Sequence, residues 1–197
     1  MSIARNKRPK RLNAEERKQS ILRAAAPIIA RSGFSGTSVR DIASAAGVSE
    51  ALLYKHFPSK QALLAASLTE ISETLRDVGR QRVDEAADAQ GALAALIDWH
   101  IDFALTHPSL IVIQDREWSN LDAAAQATVR RTQLSYIDIW VDVLARLRPE
   151  LDRPTARAMV QAGFGLLNST PHSARLAESA MRELLRAMAT AALGKRP

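Results

Sequence analysis

A tight corner between two short apolar-patterned segments constrains this chain more than any other feature. In residues 37–57 (TSVRDIASAAGVSEALLYKHF) apolar side chains recur at helical spacing on both sides of a Gly-Val-Ser corner. Gly47 suits the tight turn, Ser49 is a good N-cap for the second segment, and Thr37 is expected to cap the first. Two short helices joined by a glycine-containing turn form a helix-turn-helix motif. The predicted inward residues are Val39, Ile42, Ala46, Leu53 and Phe57.

The segment before this motif predicts a long first helix. Asn13 is a good N-cap, and Glu16 stands where a capping box places an acid. Gly33 is placed to end the helix just after its C-cap. Pro27 lies inside the helix, where it removes one backbone hydrogen bond and is expected to kink or interrupt it. The apolar stripe of this helix consists of Ile21, Leu22, Ala25, Ile28 and Ile29.

The rest of the chain is patterned for helices and has no strand-like alternation. Ser59 is predicted to cap a fourth helix over 60–78, and the polar residues 79–91 are expected to form a loop and a helix start. Further apolar-periodic segments follow at 92–106, 109–118, 122–147, 154–169 and 173–193. The chain is therefore predicted to be all-α, with about nine helices. The expected organisation is a basic arm over 1–12, a helix-turn-helix domain over 13–58 and a larger helical domain over 59–197.

Charge separates the two ends of the chain. Residues 1–60 have a net charge of +8, whereas residues 61–197 have a net charge of −2. Such an asymmetry indicates a polyanionic partner, either nucleic acid or an anionic membrane surface. The sequence has no cysteine, and no apolar run approaches the ~20 residues of a membrane helix. We therefore expect no disulfide and no membrane span, and the cytoplasm is the expected compartment. The basic residues of the arm, expected either to neutralise phosphates or to stay solvated, are Arg5, Lys7, Arg8, Lys10 and Arg11.

The second helix of the motif has a mixed outward face. At ~100° per residue, Leu53 points with Phe57 toward the core, while Ala51, Leu52 and Lys55 point the opposite way. The major groove of DNA admits such a helix, and small or apolar side chains there contact the thymine methyl group. One of the two adjacent leucines is therefore predicted to hold the core, and the other to face the groove.

The motif and its flanks also carry a family resemblance. TSVRDIASAAGVSEALLYKHFPSKQALL closely resembles the DNA-binding domain of the TetR-type (TetR/AcrR) bacterial transcriptional regulators, and the likeness runs from about Arg17 to Leu64. It implies a three-helix DNA-binding domain and a larger helical domain that binds a small inducer and dimerises through its last two long helices. The residues at the family's base-contacting positions are Arg40, Glu50, Ala51, Leu52 and Lys55. Those at its phosphate-contacting positions are Thr37, Tyr54, His56 and Lys60.

Most of these side chains have a second interpretation. Arg40 is expected either to contact guanine O6 and N7 or to form a salt bridge with a nearby acid. Glu50 either favours the helix dipole at the first helical position or accepts a hydrogen bond from cytosine N4. The residues whose alternative is a plain packing or solvated role are Tyr54, Lys55, His56 and Lys60.

A second, looser resemblance concerns the effector. Residues 163–174 (GFGLLNSTPHSA) are similar to a TetR-type subgroup tied to lipid or steroid catabolism, which implies an acyl-CoA-type or other hydrophobic effector. The effector site is expected inside the bundle of 75–170, and no cofactor or metal is expected. An arginine beside an aromatic residue in QDREWSNL is expected to meet an anionic ligand group or to form a salt bridge. The candidate ligand-binding residues, whose aromatic members could equally be core, are Trp99, His100, Phe103, Arg116, Trp118, Trp140 and Asn168.

The last two long helices each have an apolar face. Two such helices per subunit would form a four-helix interface in a homodimer. Two reading heads about 34–36 Å apart would then read a pseudo-palindromic operator. Packing within one chain is the alternative. The candidate interface residues are Ala158, Ala162, Leu166, Leu176, Ala180, Leu184 and Met188.

Nothing in the sequence indicates an enzyme. The four histidines are scattered without metal-ligand spacing, and the lone G-x-G at Gly163 and Gly165 falls inside a predicted helix, where close packing explains it. The leading prediction is a sequence-specific DNA-binding regulator, which the family resemblance makes a repressor released by a small effector. The alternatives are an activator, a regulator without a ligand and, remotely, a basic helical protein at anionic membrane surfaces.

Overall fold

The computed structural model describes residues 13–194, and all regular structure in that range is helical. Nine α-helices have seven residues or more, as predicted, and a one-turn helix and a 3-10 turn (Trp118–Asn120) complete the described part. The predicted basic arm over 1–12 lies outside the described residues. The helices are α1 (Ala14–Gly36), α2 (Val39–Ala45), α3 (Glu50–His56), α4 (Lys60–Asp84), α5 (Ala89–Thr106), α6 (Pro108–Arg116), α7 (Ala123–Leu147), α8 (Arg153–Leu167), α9 (Thr170–Ser173) and α10 (Glu178–Leu193).

The first helix begins as predicted and breaks at its glycine. Asn13 and Glu16 form the capping box, each side chain bonding the other residue's backbone N–H at 2.8 Å. The only non-helical residue inside α1 is Gly33, with φ 74° and ψ 162°. The interruption expected at Pro27 is therefore wrong, since the backbone stays helical through the proline and departs only at the glycine.

The fourth helix is longer than predicted, because part of its polar end packs inward. The loop expected from residue 79 begins only after Asp84. Gly79 is buried in α4, where an added Cβ would lie 2.7 Å from Cε2 of Tyr136 on α7. Val83 packs against the same core, and the Gln81 amide donates to Glu85 at 2.8 Å. Tertiary contact rather than local polarity therefore sets the length of this helix.

Two hydrophobic clusters divide the packing of the described residues. The first joins α1, α2, α3 and the start of α4, and it also takes in Ile113, Leu121 and Val129 from later in the chain. The second joins α5, α7, α8 and α10 with the later part of α4, including the fully buried Trp140. Because α4 contributes to both clusters, it connects the helix-turn-helix part to the larger bundle.

The C-terminal segment differs from the single helix predicted over 173–193. A one-turn α9 and a short link precede α10, and Thr170 Oγ1 holds the turn by donating to the Ala104 carbonyl at 2.7 Å. Ion pairs then fix α10 against α5, from Arg186 to Asp98 at 2.6 Å and from Arg182 to Asp102. No helix in residues 13–194 is long and apolar enough to cross a membrane.

Candidate functional site

The N-cap of α2 is Ser38, one residue later than the predicted cap at Thr37, and it forms a capping box. Ser38 Oγ accepts from the Asp41 backbone N–H at 3.1 Å, and the Asp41 carboxylate accepts from Ser38 N–H at 3.1 Å. These bonds from Ser38 lower the pKa of Asp41. The cap expected from Thr37 is therefore wrong. Thr37 is buried and donates to the Gly33 carbonyl at 2.8 Å, so its hydroxyl serves the end of α1 and does not face a phosphate.

The corner between α2 and α3 has the predicted geometry. Gly47 has φ 64°, in the left-handed region that glycine adopts without strain. The Val48 N–H donates back to the Ala43 carbonyl at 2.9 Å, which closes the turn. Ser49 caps α3, since its Oγ accepts from the Leu52 N–H at 3.2 Å. The corner and its cap thus fix the direction in which α3 leaves the core.

The two faces of α3 lie as the helical wheel predicts. Leu53 is fully buried and Phe57 nearly so. Ala51 and Lys55 are exposed, and 49% of the Tyr54 surface is accessible. The remaining outward candidates, which are partly buried, are Leu52 and His56. The helix therefore presents a hydroxyl, an ammonium group and small apolar surface to a partner, while one leucine and one phenylalanine hold it in place.

Arg40 and Glu50 form an ion pair across the corner. The Arg40 Nε lies 3.3 Å from Glu50 Oε1, and the arginine side chain is 84% exposed. The salt-bridge alternative for Arg40 is thus present, with an acid on the next helix. Only Nε bonds the acid, and the two terminal guanidinium nitrogens make no hydrogen bond to another described residue. Exposed pairs of this kind contribute about 0–1 kcal/mol, so the pair orients the guanidinium more than it stabilises the fold.

Lys60, predicted to contact a phosphate, is hydrogen-bonded within the chain. Its Nζ donates to the carbonyls of Phe34 at 2.5 Å and Thr37 at 2.7 Å, and it lies 4.3 Å from the centroid of the Phe34 ring. The ammonium group thus satisfies carbonyls at the end of α1 from the first turn of α4. A lysine bonded in this way holds the helix-turn-helix together, and a phosphate would compete with two carbonyls for it.

A small cavity of about 100 Å³ opens inside the larger bundle, between α4, α5, α6, α7 and α8. Its apolar walls are Leu75, Phe103, Ile137 and Phe164. Its polar walls are Ser72, His100, Gln114, Gln133, Tyr136 and Asn168. None of these side chains is an acid, a lysine or an arginine, so the cavity is lined without formal charge at neutral pH.

His100 is the centre of a hydrogen-bonded and stacked group in this cavity. Its Nε2 donates to Asn168 Oδ1 at 3.0 Å, and its Nδ1, 3.3 Å from the Tyr136 oxygen, accepts from that hydroxyl. The imidazole stacks on Phe164 at 4.5 Å between ring centroids. Burial lowers the pKa of His100 to about 4, and burial raises the pKa of Tyr136. Both groups are therefore neutral at physiological pH.

The structure brings only some of the predicted ligand residues together. Of these residues, His100, Phe103 and Asn168 line the small cavity. Trp140 lies edge-on to Phe164 at 5.1 Å, fully buried in the core, and its Nε1 has no hydrogen-bond partner in the described part of the chain. Trp99 lies outside the small cavity and donates from Nε1 to the Leu75 carbonyl at 3.2 Å.

Two predicted ligand residues lie elsewhere. Arg116 donates to the Ala30 carbonyl of α1 at 3.2 Å, and Trp118 packs against the helix-turn-helix cluster, with Arg130 over its ring. Neither residue lines the small cavity, so their ligand contacts remain predictions that this cavity does not support. Arg116 reaches α1 because α6 contributes side chains to both clusters. The cavity residues that the sequence did not indicate are Ser72, Leu75, Gln114, Gln133, Tyr136, Ile137 and Phe164.

A larger cleft of about 430 Å³ lies between α1, the middle of α4, α5 and the start of α6. Phe103 lines both this cleft and the small cavity, and it therefore stands between them. The charged side chains of the cleft are Arg23, Glu70 and Asp102. Glu70 lies near Lys18 at 3.8 Å, and Asp102 is paired with Arg182. The cleft thus offers one arginine against two carboxylates.

The predicted dimer face is accessible on this single chain. Leu176, Leu184 and Met188 are 56%, 43% and 46% exposed. Ala158, Ala162 and Ala180 are also exposed, and Leu166 is partly buried. The inner faces of the same helices pack in the core through Val160, Leu167, Met181 and Leu185. Both helices are therefore apolar on two sides, and only the inner side is covered by this chain.

The candidate site contains no arrangement typical of metal chemistry. Among residues 13–194 no group of three or more histidine, aspartate or glutamate side chains could hold a metal ion. His56, on α3, contacts Phe57, whereas His100 is deep in the bundle. The two chemically distinctive regions of the described chain are therefore the outward face of α3 and the neutral cavity.

The chain is similar to known regulators over most of its length. Residues 21–67 match the family model described as bacterial regulatory proteins, tetR family. The transcriptional repressor KstR2 of Mycobacterium tuberculosis is 31% identical over 150 residues, which cover 69% of this chain and 72% of the relative. A TetR-family regulator from Bordetella parapertussis superposes with a TM-score of 0.76 at 25% identity, covering 87% of this chain and 93% of that one. The regulator FadR of Bacillus subtilis, solved with stearoyl-CoA, shares the fold at 19% identity, with a TM-score of 0.70, covering 88% and 98%.

Proposed function

The chain belongs to the TetR family of bacterial regulatory proteins, and we propose that it represses transcription as a homodimer that a small effector releases from a pseudo-palindromic operator. It is a DNA-binding transcriptional regulator. The observation that carries the proposed mode of reading is the outward face of α3, where Tyr54 and Lys55 are exposed while Leu53 holds the helix. Such a regulator works beside the bacterial chromosome, and we propose the cytoplasm as its compartment and no catalytic activity.

We propose that base reading rests on four side chains and phosphate binding on two. Arg40 on α2 contacts a guanine. Ala51 and Leu52 contact thymine methyl groups, and Lys55 contacts a base or a phosphate. Tyr54 and His56 donate to phosphates. The basic arm adds further phosphate contacts, through Arg5, Lys7, Arg8, Lys10 and Arg11. Thr37 and Lys60 take no part, because their polar groups are bound within the chain.

The test is fluorescence anisotropy with a labelled duplex from the region upstream of the protein's own gene. Lys55→Ala is expected to weaken binding by about 1–3 kcal/mol, while Arg146→Ala, at an exposed arginine of α7 far from the motif in sequence, leaves it unchanged. Equal effects of the two substitutions would mean that general charge, and not the α3 face, determines the affinity.

Glu50 acts in this scheme through Arg40. The ion pair holds the guanidinium at the corner and leaves its terminal nitrogens free for a bidentate contact with guanine. Glu50→Gln is therefore expected to weaken operator binding in the wild-type background and to have little effect in the Arg40→Ala background. If Glu50→Gln changes base preference in both backgrounds, the carboxylate reads a base itself.

The homodimer is proposed from the uncovered apolar face of α8 and α10. Leu184 and Met188 lie on the side of α10 away from α5, where the ion pairs to Asp98 and Asp102 hold the helix. A two-fold interface of this kind places two α3 helices on one side of DNA. Leu184→Glu is expected to give a monomer in light scattering. Leu134→Glu, at a leucine of α7 that is equally exposed at 43%, should leave the dimer intact.

Effector release is proposed from the position of the cavity and the cleft. The cleft is lined by residues of α1, α4, α5 and α6, and α4 packs in both clusters. A ligand that binds better when the two α3 helices are wrongly spaced shifts the dimer away from its DNA-competent arrangement. A dimer whose two heads are crosslinked at the operator spacing is expected to bind DNA and to ignore the effector. An unchanged response of the crosslinked dimer would exclude this mechanism.

A further inference from the structure

We propose that the small cavity takes an uncharged, ring-bearing compound with a carbonyl or hydroxyl group, and that the effector is of this class and not an acyl-CoA thioester. This inference rests on the proposed effector function and names the chemistry of its ligand. It is carried by the free amide groups of the cavity, the parallel rings beside them and the distribution of charge around them.

Three neutral carboxamides face the cavity with unused hydrogen-bonding capacity. Gln114 and Gln133 make no side-chain hydrogen bond to any other described residue, although both line the cavity and are partly buried. Asn168 uses its carbonyl oxygen for His100, which leaves its amide N–H groups without a partner in the described chain. These amides are accessible from the cavity, so a ligand or water with both accepting and donating capacity can satisfy them. A carbonyl or hydroxyl group on a ligand satisfies them without introducing charge.

The aromatic side chains form a stacked wall of the cavity, against which a flat group packs. The rings of Tyr136, His100 and Phe164 are nearly parallel, with interplanar angles of 10° and 12° for the two stacks on His100. Phe103 closes the group edge-on to His100, at 71°. Apolar cavities of the order of 150 Å³ bind benzene, so a cavity of about 100 Å³ admits no group larger than one ring, and the rest of a ligand would extend past Phe103 into the cleft.

No charged side chain lines the cavity, so a charged ligand would find no counter-charge there. His100 and Tyr136 are already satisfied by each other and by Asn168, and neither is ionised. The nearby Arg82 lies over the Trp99 ring at 5.3 Å and does not line the cavity. A carboxylate or ammonium group placed in the cavity would lose its hydration without gaining an ion pair, which is costly.

The outer cleft is equally unsuited to a coenzyme A head group. Phosphate recognition relies on clustered arginine and lysine side chains. The cleft has Arg23 alone, and the carboxylates of Glu70 and Asp102 line the same space. A ligand that passes Phe103 from the cleft into the cavity therefore brings little negative charge with it.

The experiment uses the full-length protein and four matched probes: acetophenone, benzoate, benzylamine and benzoyl-CoA. Binding is followed by the NMR signals of the His100 imidazole and the tryptophan indole N–H groups, and operator release is followed separately by anisotropy. Acetophenone is expected to shift the His100 signals, and benzoate and benzylamine to bind at least tenfold more weakly. Gln133→Leu is expected to weaken acetophenone binding about three- to tenfold, because one hydrogen bond is lost. Gln90→Leu, at an exposed glutamine of α5, should leave acetophenone binding unchanged.

The outcomes distinguish a failure of the proposed ligand class from a failure of the proposed effector function. Tighter binding of benzoyl-CoA or benzoate than of acetophenone would overturn the ligand class, while release of the operator by either compound would keep the effector function. Binding of acetophenone in the cavity without any release would support the ligand class and count against the proposed effector role. If none of the probes shifts the His100 signals, the inference is wrong.

Discussion

Lowering the pH should destabilise this protein through one buried imidazole. Burial holds the pKa of His100 near 4 in the folded chain, against 6.5 for the free side chain. The unfolded chain therefore binds more protons between these values, and stability is lost as the pH falls from about 6.5 toward 4. With those two pKa values the loss from this residue is about 2 kcal/mol at pH 5 relative to pH 8.

Urea unfolding followed by circular dichroism at pH 8, 7, 6 and 5 measures this effect, at one fixed protein concentration. The carboxylates also titrate toward pH 5, so wild type is compared with His100→Gln, which keeps every other group. His100→Gln is expected to be less stable at pH 8 but to lose about 2 kcal/mol less on going to pH 5. His172→Gln, at an exposed histidine, should retain the wild-type dependence on pH.

Two results would refute the reasoning. One is an equal pH dependence for wild type and His100→Gln. The other is an NMR titration of the His100 ring with a midpoint near 6.5, which would mean that the imidazole is solvated and not buried as described above.

Three further substitutions test separate parts of the structure. Gly79→Ala should cost about 1–3 kcal/mol and displace the Tyr136 ring, because the new methyl group overlaps it, while Gly91→Ala, which meets only ordinary contacts, should be neutral in the same urea titration. Ser38→Ala should cost about 1 kcal/mol by removing the α2 cap, measured as a shift in the urea midpoint, and an unchanged midpoint would contradict the capping box. Lys60→Met should lower stability by about 1–3 kcal/mol, since two carbonyls lose their donor, and weakened DNA binding at full stability would instead restore its phosphate role.

The helix-turn-helix could be predicted from sequence because its determinants are local. The turn at Gly47, the cap at Ser49 and the i, i+4 pair of Leu53 and Phe57 lie within eleven residues of one another. Helical periodicity and capping act over the same short range, so the pattern alone predicts which face of α3 is buried. The all-α fold followed for the same reason.

The roles of individual polar side chains could not be predicted, because distant partners decide them. Lys60 is bound to carbonyls 23 and 26 residues earlier in the chain, and Arg116 to a carbonyl 86 residues earlier. Ser38, which has an acid three residues later, caps α2 in place of Thr37. A basic side chain near a DNA-reading helix is indistinguishable in sequence from one that fastens the helix to its support.

Only some of the residues that line the cavity could be predicted from sequence, for a related reason. Its central imidazole is on α5, its tyrosine on α7 and its asparagine at the end of α8, 36 and 68 residues from His100. Tyr136 depends in addition on the missing side chain of Gly79 on α4, in a stretch whose polarity indicated a loop. Aromatic residues at helical spacing indicate a core, and only the packed bundle separates core rings from those that line a cavity.

The most direct test of the account is a selection of DNA by the full-length protein from a pool of randomised 40-base-pair duplexes. The account predicts enrichment of a pseudo-palindrome whose half-sites are separated by one helical turn, about 10 base pairs, or a multiple of it, and loss of that enrichment for Lys55→Ala. Enrichment of a single unpaired half-site would contradict the dimer, and no enriched sequence at all would contradict reading of the major groove by α3.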